Sequence, residues 1–225
     1  MIENEYHKMA ERENTHWWFV GRRLIINNFL KNLSLNKNSE ILEIGCGTGS
    51  NIGLLNNYGK LSVMEPNEVA VNYLKKKKFD IKNLKIGFCP NDLEYKNKFD
   101  LICLFDVLEH IEYDFITIKK ISNILKNNGY IFLTVPAYQW LWSDHDINLM
   151  HKRRYNNKNL FKLIPDNFTI EYLTYFNTFL FPFAVIERLF RKIYKFNDKS
   201  NSFLTNYLFK TILSFEKYLL NYIKF

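Results

Sequence analysis

Short apolar runs alternate with helical spacing through the middle of this chain. From residue 40 the runs "EILEIG" (40–45), "KLSVMEP" (60–66), "NLKIGF" (83–88), "FDLICLF" (99–105) and "YIFLTVP" (130–136) have strand length and β-branched content. Between them, "FITIKKISNIL" carries Phe115, Ile118, Ile121 and Leu125 at three-to-four spacing, and "KNNGY" places Gly129 where a helix stops. Strand and helix in repeated alternation predict an α/β fold with a mostly parallel sheet covered by helices on both faces. Residues 1–33 read as a helical lead-in with aromatics at its centre, "HWWFVGRRLIINNFLKNL". "FTIEYLTYFN" (168–177) is a sixth strand candidate, by alternation. Beyond it lie an apolar segment with basic residues, "TFLFPFAVIERLFRKIYKF", and a stripe of Leu204, Leu208, Ile212, Phe215, Leu219 and Ile223 on a final helix. The expected organisation is a domain over residues 1–177, led by a helical lid over 1–38, and a helical extension over 178–225.

Composition changes this picture little. A chain of 225 residues with 47% hydrophobic content can bury a real core in one domain. Its formal charge of +8 suits an anionic partner, although abundant Lys, Asn, Ile, Phe and Tyr also suggest compositional drift. Cys46, Cys89 and Cys103 are odd in number and set in apolar surroundings, which points to reduced thiols and a cytoplasmic location. The charged opening "MIENEYHKMAEREN" has no signal-peptide core, and no apolar run reaches the ~20 residues of a membrane span. No basic patch interleaved with aromatics suggests nucleic acid.

The most informative stretch is "ILEIGCGTGS". Gly45, Gly47 and Gly49 follow a strand, where a backbone free of side chains turns tightly and approaches a ligand. Glu65 ends the next strand, twenty positions after Gly45, the place of a carboxylate that accepts ribose hydroxyls. Glu43, two residues before the loop, would repel a diphosphate and suits a cationic ligand, which disfavours a nicotinamide oxidoreductase. These residues resemble the first motif of class I S-adenosylmethionine-dependent methyltransferases. "MEP", with Glu65 and Pro66, matches that family's acidic second motif. "CPNDLEY" resembles the third, in which Asp92 would reach the adenine amino group and Leu93 its ring. "FDLICLFDVLEHI", with Asp106, is similar to the fourth, and "LKNNGYIFLTVP" to the helix-turn-strand after it. The resemblance covers residues 39–137 and implies a Rossmann-like doubly wound sheet of six or seven strands and S-adenosyl-L-methionine as cofactor. The family's antiparallel closing strand has no candidate here.

Methyl transfer from a sulfonium is an in-line displacement that needs positioning within roughly 3–3.5 Å and no metal. No metal-ligand cluster is expected. A hydroxyl or ammonium acceptor requires a base, and the candidates are His110 in "DVLEHI" and His145 in "WSDHD", where Asp144 and Asp146 could orient the imidazole. His110 could equally serve to organise its loop. "HWWFVGRR" and "VPAYQWLWSDHDINLMHKRRY" resemble a bacterial subgroup of the same family associated with surface-glycan and lipid-linked metabolism. Trp17 and Trp18 are expected either to close over the cofactor or to pack the lead-in helix. Arg22, Arg23, Arg153, Arg154 and Tyr155 suggest a phosphate-bearing or acidic acceptor, a small molecule or a lipid-linked one. "FLFPFAVI" with Arg188, Arg191, Lys192 and Lys195 suggests contact with an anionic membrane face, with sheet capping or a dimer contact as alternatives. A rival reading keeps the fold without turnover, as a peripheral membrane or assembly protein. Oligomeric state is left open.

Overall fold

The computed structural model describes residues 3–96, 98–193 and 203–222. Five strands form one parallel sheet in the order β3-β2-β1-β4-β5, with β1 Glu40–Ile44, β2 Lys60–Met64, β3 Asn83–Lys85, β4 Phe99–Phe105 and β5 Leu125–Thr134. The helices are α1 Glu3–Arg12, α2 Trp17–Leu30, α3 Ile52–Leu55, α4 Glu68–Lys77, α5 Asp114–Ile124, α6 Asp144–Asn148, α7 Asn157–Phe161, α8 Phe181–Ile193 and α9 Phe203–Leu219.

The chain divides into two compact units. The first comprises residues 1–11 and 34–169 and holds the whole sheet; the second comprises 12–33 and 170–225. The later division falls at residues 169/170, beside an expected boundary at 178, and the lead-in is itself divided, at residues 11/12.

In the first unit the central strands are buried on both faces, which explains their nearly unbroken apolar text. Leu42, Ile44, Ile102, Leu104 and Met64 form one core with Ile118 and Ile121 of α5. Burying each such side chain fully contributes roughly 1.5–3 kcal/mol. The strand order reverses between β1 and β4, which opens a crevice beyond their carboxyl ends. Asn67 caps α4 by accepting from Val69 N and Ala70 N at 2.9 and 3.2 Å, and so fixes how the chain leaves β2.

Two expectations are corrected. The sheet has five strands among the described residues, not six or seven, because residues 168–177 form no strand. Their alternate side chains insert among helices instead. Phe176 stacks on Trp18 at 5.8 Å, Phe29 meets Tyr172 at 4.7 Å, and the Tyr172 hydroxyl donates to the Leu220 carbonyl. The helix expected to stop at Gly129 also ends earlier, at Ile124. Leu125 is already extended and pairs with Phe99, after which "KNNG" bulges out before Tyr130 pairs with Leu101.

The second unit is built from α2 and α9 around Ile25, Leu213 and Leu220. Gly21 lets these helices approach, since a Cβ there would overlap the Leu213 side chain. Glu216 is fully buried and accepts from the Thr178 amide at 2.8 Å.

Candidate functional site

The turn after β1 needs its glycines. Gly45 has φ +69, and a Cβ there would stand 2.6 Å from a Val107 methyl. Gly47 has φ +56, and a Cβ there would meet the Met9 sulfur of α1 at 3.2 Å. Gly49, at φ +94, lies against Phe79 and Leu74, so it serves the turn and the packing behind it. Glu43 is buried and accepts from Asn51 Nδ2 at 2.8 Å.

Glu65 follows β2 and is 2% exposed. Its Oε2 accepts the Gly47 amide at 2.8 Å, and its Oε1 accepts the Asn67 amide at 3.1 Å and the Tyr6 hydroxyl of α1 at 3.4 Å. Burial pushes its carboxyl above the ordinary value, while these three hydrogen bonds pull in the opposite direction. The same carboxylate pushes up the Tyr6 phenol, after burial itself. A carboxylate that joins the second strand to the glycine turn and already receives a hydroxyl fits the ribose of an adenosyl ligand.

Asp92 is exposed, and its Oδ2 accepts the Phe88 amide at 2.7 Å in the loop beyond β3. Leu93 lies in the sheet core, 3% exposed. Pro66 is half-buried just after Glu65. Asp106 begins the loop after β4 at φ +56 and accepts from Thr134 Oγ1 at 2.9 Å. Val107, next in that loop, is the residue packed on Gly45.

The loop continues into a short turn, Leu108–His110. The "HKRRY" segment grips it: the Lys152 amide donates to the Glu109 carbonyl at 2.7 Å, and Arg153 pairs with Asp114 at 2.7 Å. The buried Tyr155 hydroxyl bonds Asp114 Oδ2 at 3.0 Å and the Leu108 carbonyl at 3.3 Å. Arg154 is 7% exposed and bidentate on Asp146, at 2.7 and 3.0 Å. Asp146 also accepts from Ser143 N and His151 Nδ1, each at 2.9 Å. Those donors, His151 and Arg154 first, hold its carboxyl well below the usual range against the cost of its burial.

The expected pairing of Asp146 with His145 gives way here to a pairing with His151. His145 is exposed on α6, while the His151 ring lies 4.7 Å from that of His110 in an edge-to-face arrangement. Burial first, and His151 second, push His110 down to about 4, so it is neutral at pH 7. Glu109, wholly buried, completes the group: one ligand-type atom from each of Glu109, His110 and His151 lies within 4.8 Å of the others. Glu109 and His151 have no role in the sequence motifs, which predict no such cluster.

Of the remaining candidates, Trp17, Trp18 and Arg22 belong to the second unit. Trp17 meets Phe209 edge-on at 5.2 Å, and its amide donates to Asn206 Oδ1 at 2.7 Å. Arg22 is 6% exposed. The basic side chains of the proposed membrane segment lie outside the described residues at Lys195, and nothing is described of those at Arg191 and Lys192. No described helix is long and apolar enough to cross a membrane.

A family model for the methyltransferase domain matches residues 16–178. The chain belongs to the methyltransferase domain family. Among its relatives, an uncharacterized protein of Methanocaldococcus jannaschii is 31% identical over 133 residues, 56% of this chain and 55% of that one. The ubiquinone biosynthesis O-methyltransferase of Pelagibacter ubique is 33% identical over 123 residues, 49% of this chain and 50% of that protein. The chain thus spans about half the length of the curated relatives it matches. The crystal structure of coclaurine N-methyltransferase, bound to N-methylheliamine and SAH, superposes with a TM-score of 0.57. It shares 13% identity over 88% of this chain and 64% of that one, which places the present sheet in the methyltransferase fold.

Proposed function

We propose that this chain is an S-adenosylmethionine-dependent methyltransferase acting on a small-molecule or lipid-linked acceptor. The observation that carries the reading is the buried Glu65 carboxylate, bonded to the Gly47 amide and to a hydroxyl, beside a glycine turn that side chains could not enter. Glu65 would take the ribose hydroxyls in place of Tyr6. Gly45 and Gly47 would give the ligand access to backbone, and Glu43, with Asp106 across the crevice, would keep the site favourable to a cation. Asp92 and Leu93 would border the adenine. The cofactor, when bound, supplies an activated methyl group.

The turn Leu108–His110 is our assignment for the acceptor side, because Val107 packs on the glycine turn immediately before it. We favour His110 over the exposed His145 as the histidine that serves the acceptor's reacting atom. Arg153 stands as an anion contact at the rim; the engagement of Arg154 by Asp146 leaves it a supporting part. An anionic membrane face for residues 178–196 is a further part of this proposal.

Calorimetry with S-adenosylmethionine tests the core of it. The parent chain should bind, and Glu65→Ala should weaken binding about 10- to 100-fold, from the loss of charged hydrogen bonds worth about 1.5–3 kcal/mol. A parent chain that gives no heat would end the reading.

A further inference from the structure

The facing of Glu109 and His151 is chemically unusual. Asp146 Oδ1 lies 2.9 Å from His151 Nδ1, which orients the ring and leaves Nε2 as the nitrogen that faces Glu109. That Nε2 stands 3.9 Å from Glu109 Oε1, with the imidazole 7% exposed and the carboxylate buried. A carboxylate oxygen and an imidazole nitrogen, both metal-ligating atoms, therefore face each other in a dry place, too far apart for a direct hydrogen bond. A single cation about 2.0–2.1 Å from each would bridge such a gap with a small contraction. His110 brings a third donor to within the same 4.8 Å cluster, and its ring also bonds the Met150 backbone.

We infer that Glu109, His110 and His151 form a binding site for one divalent ion of the Zn2+ type, with Asp146 as the residue that orients His151. Two imidazoles and one carboxylate suit Zn2+ better than Mg2+, which prefers an all-oxygen shell. A carboxylate behind a ligating histidine is the usual support of such sites, and Asp146 is itself held by Arg154 and Ser143. Three protein ligands leave a coordination position open. Resting on the proposed function, that position suits an oxygen of the acceptor: a hydroxyl bound there loses its proton to solvent more readily. The acceptor class this favours is a hydroxyl compound rather than an amine.

The test uses the full chain stripped with EDTA and then titrated with ZnCl2 or MgCl2, with bound metal counted by mass spectrometry after dialysis. We expect one Zn2+ per chain and little Mg2+. His151→Ala and Glu109→Gln should each weaken uptake at least 10-fold, and Asp146→Asn about 10- to 100-fold through the misdirected imidazole. Absent uptake, uptake equal in parent and variants, or a preference for Mg2+ would overturn the site. Should His151→Ala fail to fold by circular dichroism, the nearly isosteric Glu109→Gln decides. S-adenosylmethionine affinity measured on the stripped parent separates the two proposals: donor binding without metal uptake sinks this site alone.

Discussion

Two groups of buried carboxylates, Glu65 at one place and Asp146 with Glu109 at another, are built in opposite ways. Glu65 is satisfied mainly by backbone amides, from Gly47 and Asn67, supplied by the turns that follow β1 and β2. Asp146 and Glu109 are surrounded by side chains, His151, Arg154 and His110, brought from the loop after β4 and from a segment some forty residues later. A backbone-built site is encoded in a short stretch and changes little with neighbouring side chains. A side-chain-built one has all its chemistry exposed to substitution, which makes it the natural seat of specificity.

That difference can be strained first at Gly45. Gly45→Ala adds a methyl 2.6 Å from Val107 at φ +69. Left-handed strain of about 1–2 kcal/mol and overpacking of about 1–3 kcal/mol both apply. Denaturant unfolding should therefore show a loss of about 2–5 kcal/mol, and an unchanged midpoint would mean that the turn is not rigid.

Acidity sharpens the comparison next. Because burial raises the Glu65 carboxyl in the folded chain, its ionisation opposes folding: the favourable contribution is present below the unfolded value and is lost as pH rises through the folded one. The stability of Glu65→Gln minus that of the parent should accordingly move in the variant's favour between pH 4 and 7, on an order-of-magnitude scale of pH set by ordinary glutamate titration. Melting curves at the two ends measure it, and a movement the other way would show that the amide hydrogen bonds outweigh burial.

The smallest effect is expected at Tyr6→Phe. At 3.4 Å its hydroxyl bond to Glu65 is long, so stability should change by less than about 1 kcal/mol. Affinity for the adenosyl donor should stay level or rise slightly, since one fewer donor then competes for the carboxylate. A clear fall in affinity would instead make Tyr6 part of the donor site.

These clusters also mark how much the sequence could say. The strands β1, β2 and β4, buried on both faces, announced themselves as apolar runs, and the glycine spacing with Glu65 was legible because turn, strand and acid recur at fixed local distances. His151 was not. It lies five positions after Asp146, beyond the reach of one helical turn, and only the reversal after α6 returns its ring to the carboxylate. His145, adjacent to Asp146 in the text, points to the surface instead. Asp146 also closes a capping box with Ser143, a local pattern that carries no sign of the more distant His151. In residues 168–177 alternation meant aromatic plugs between helices rather than a strand, since Tyr172 and Phe176 found ring and carbonyl partners there.

Because the Gly47 amide donates to Glu65, a bond within the chain itself holds the shape of the turn. A ligand arriving there finds no coil to freeze, and so little of its binding energy is diverted to ordering the chain. The proton on that one nitrogen should exchange slowly with heavy water even before any ligand is added.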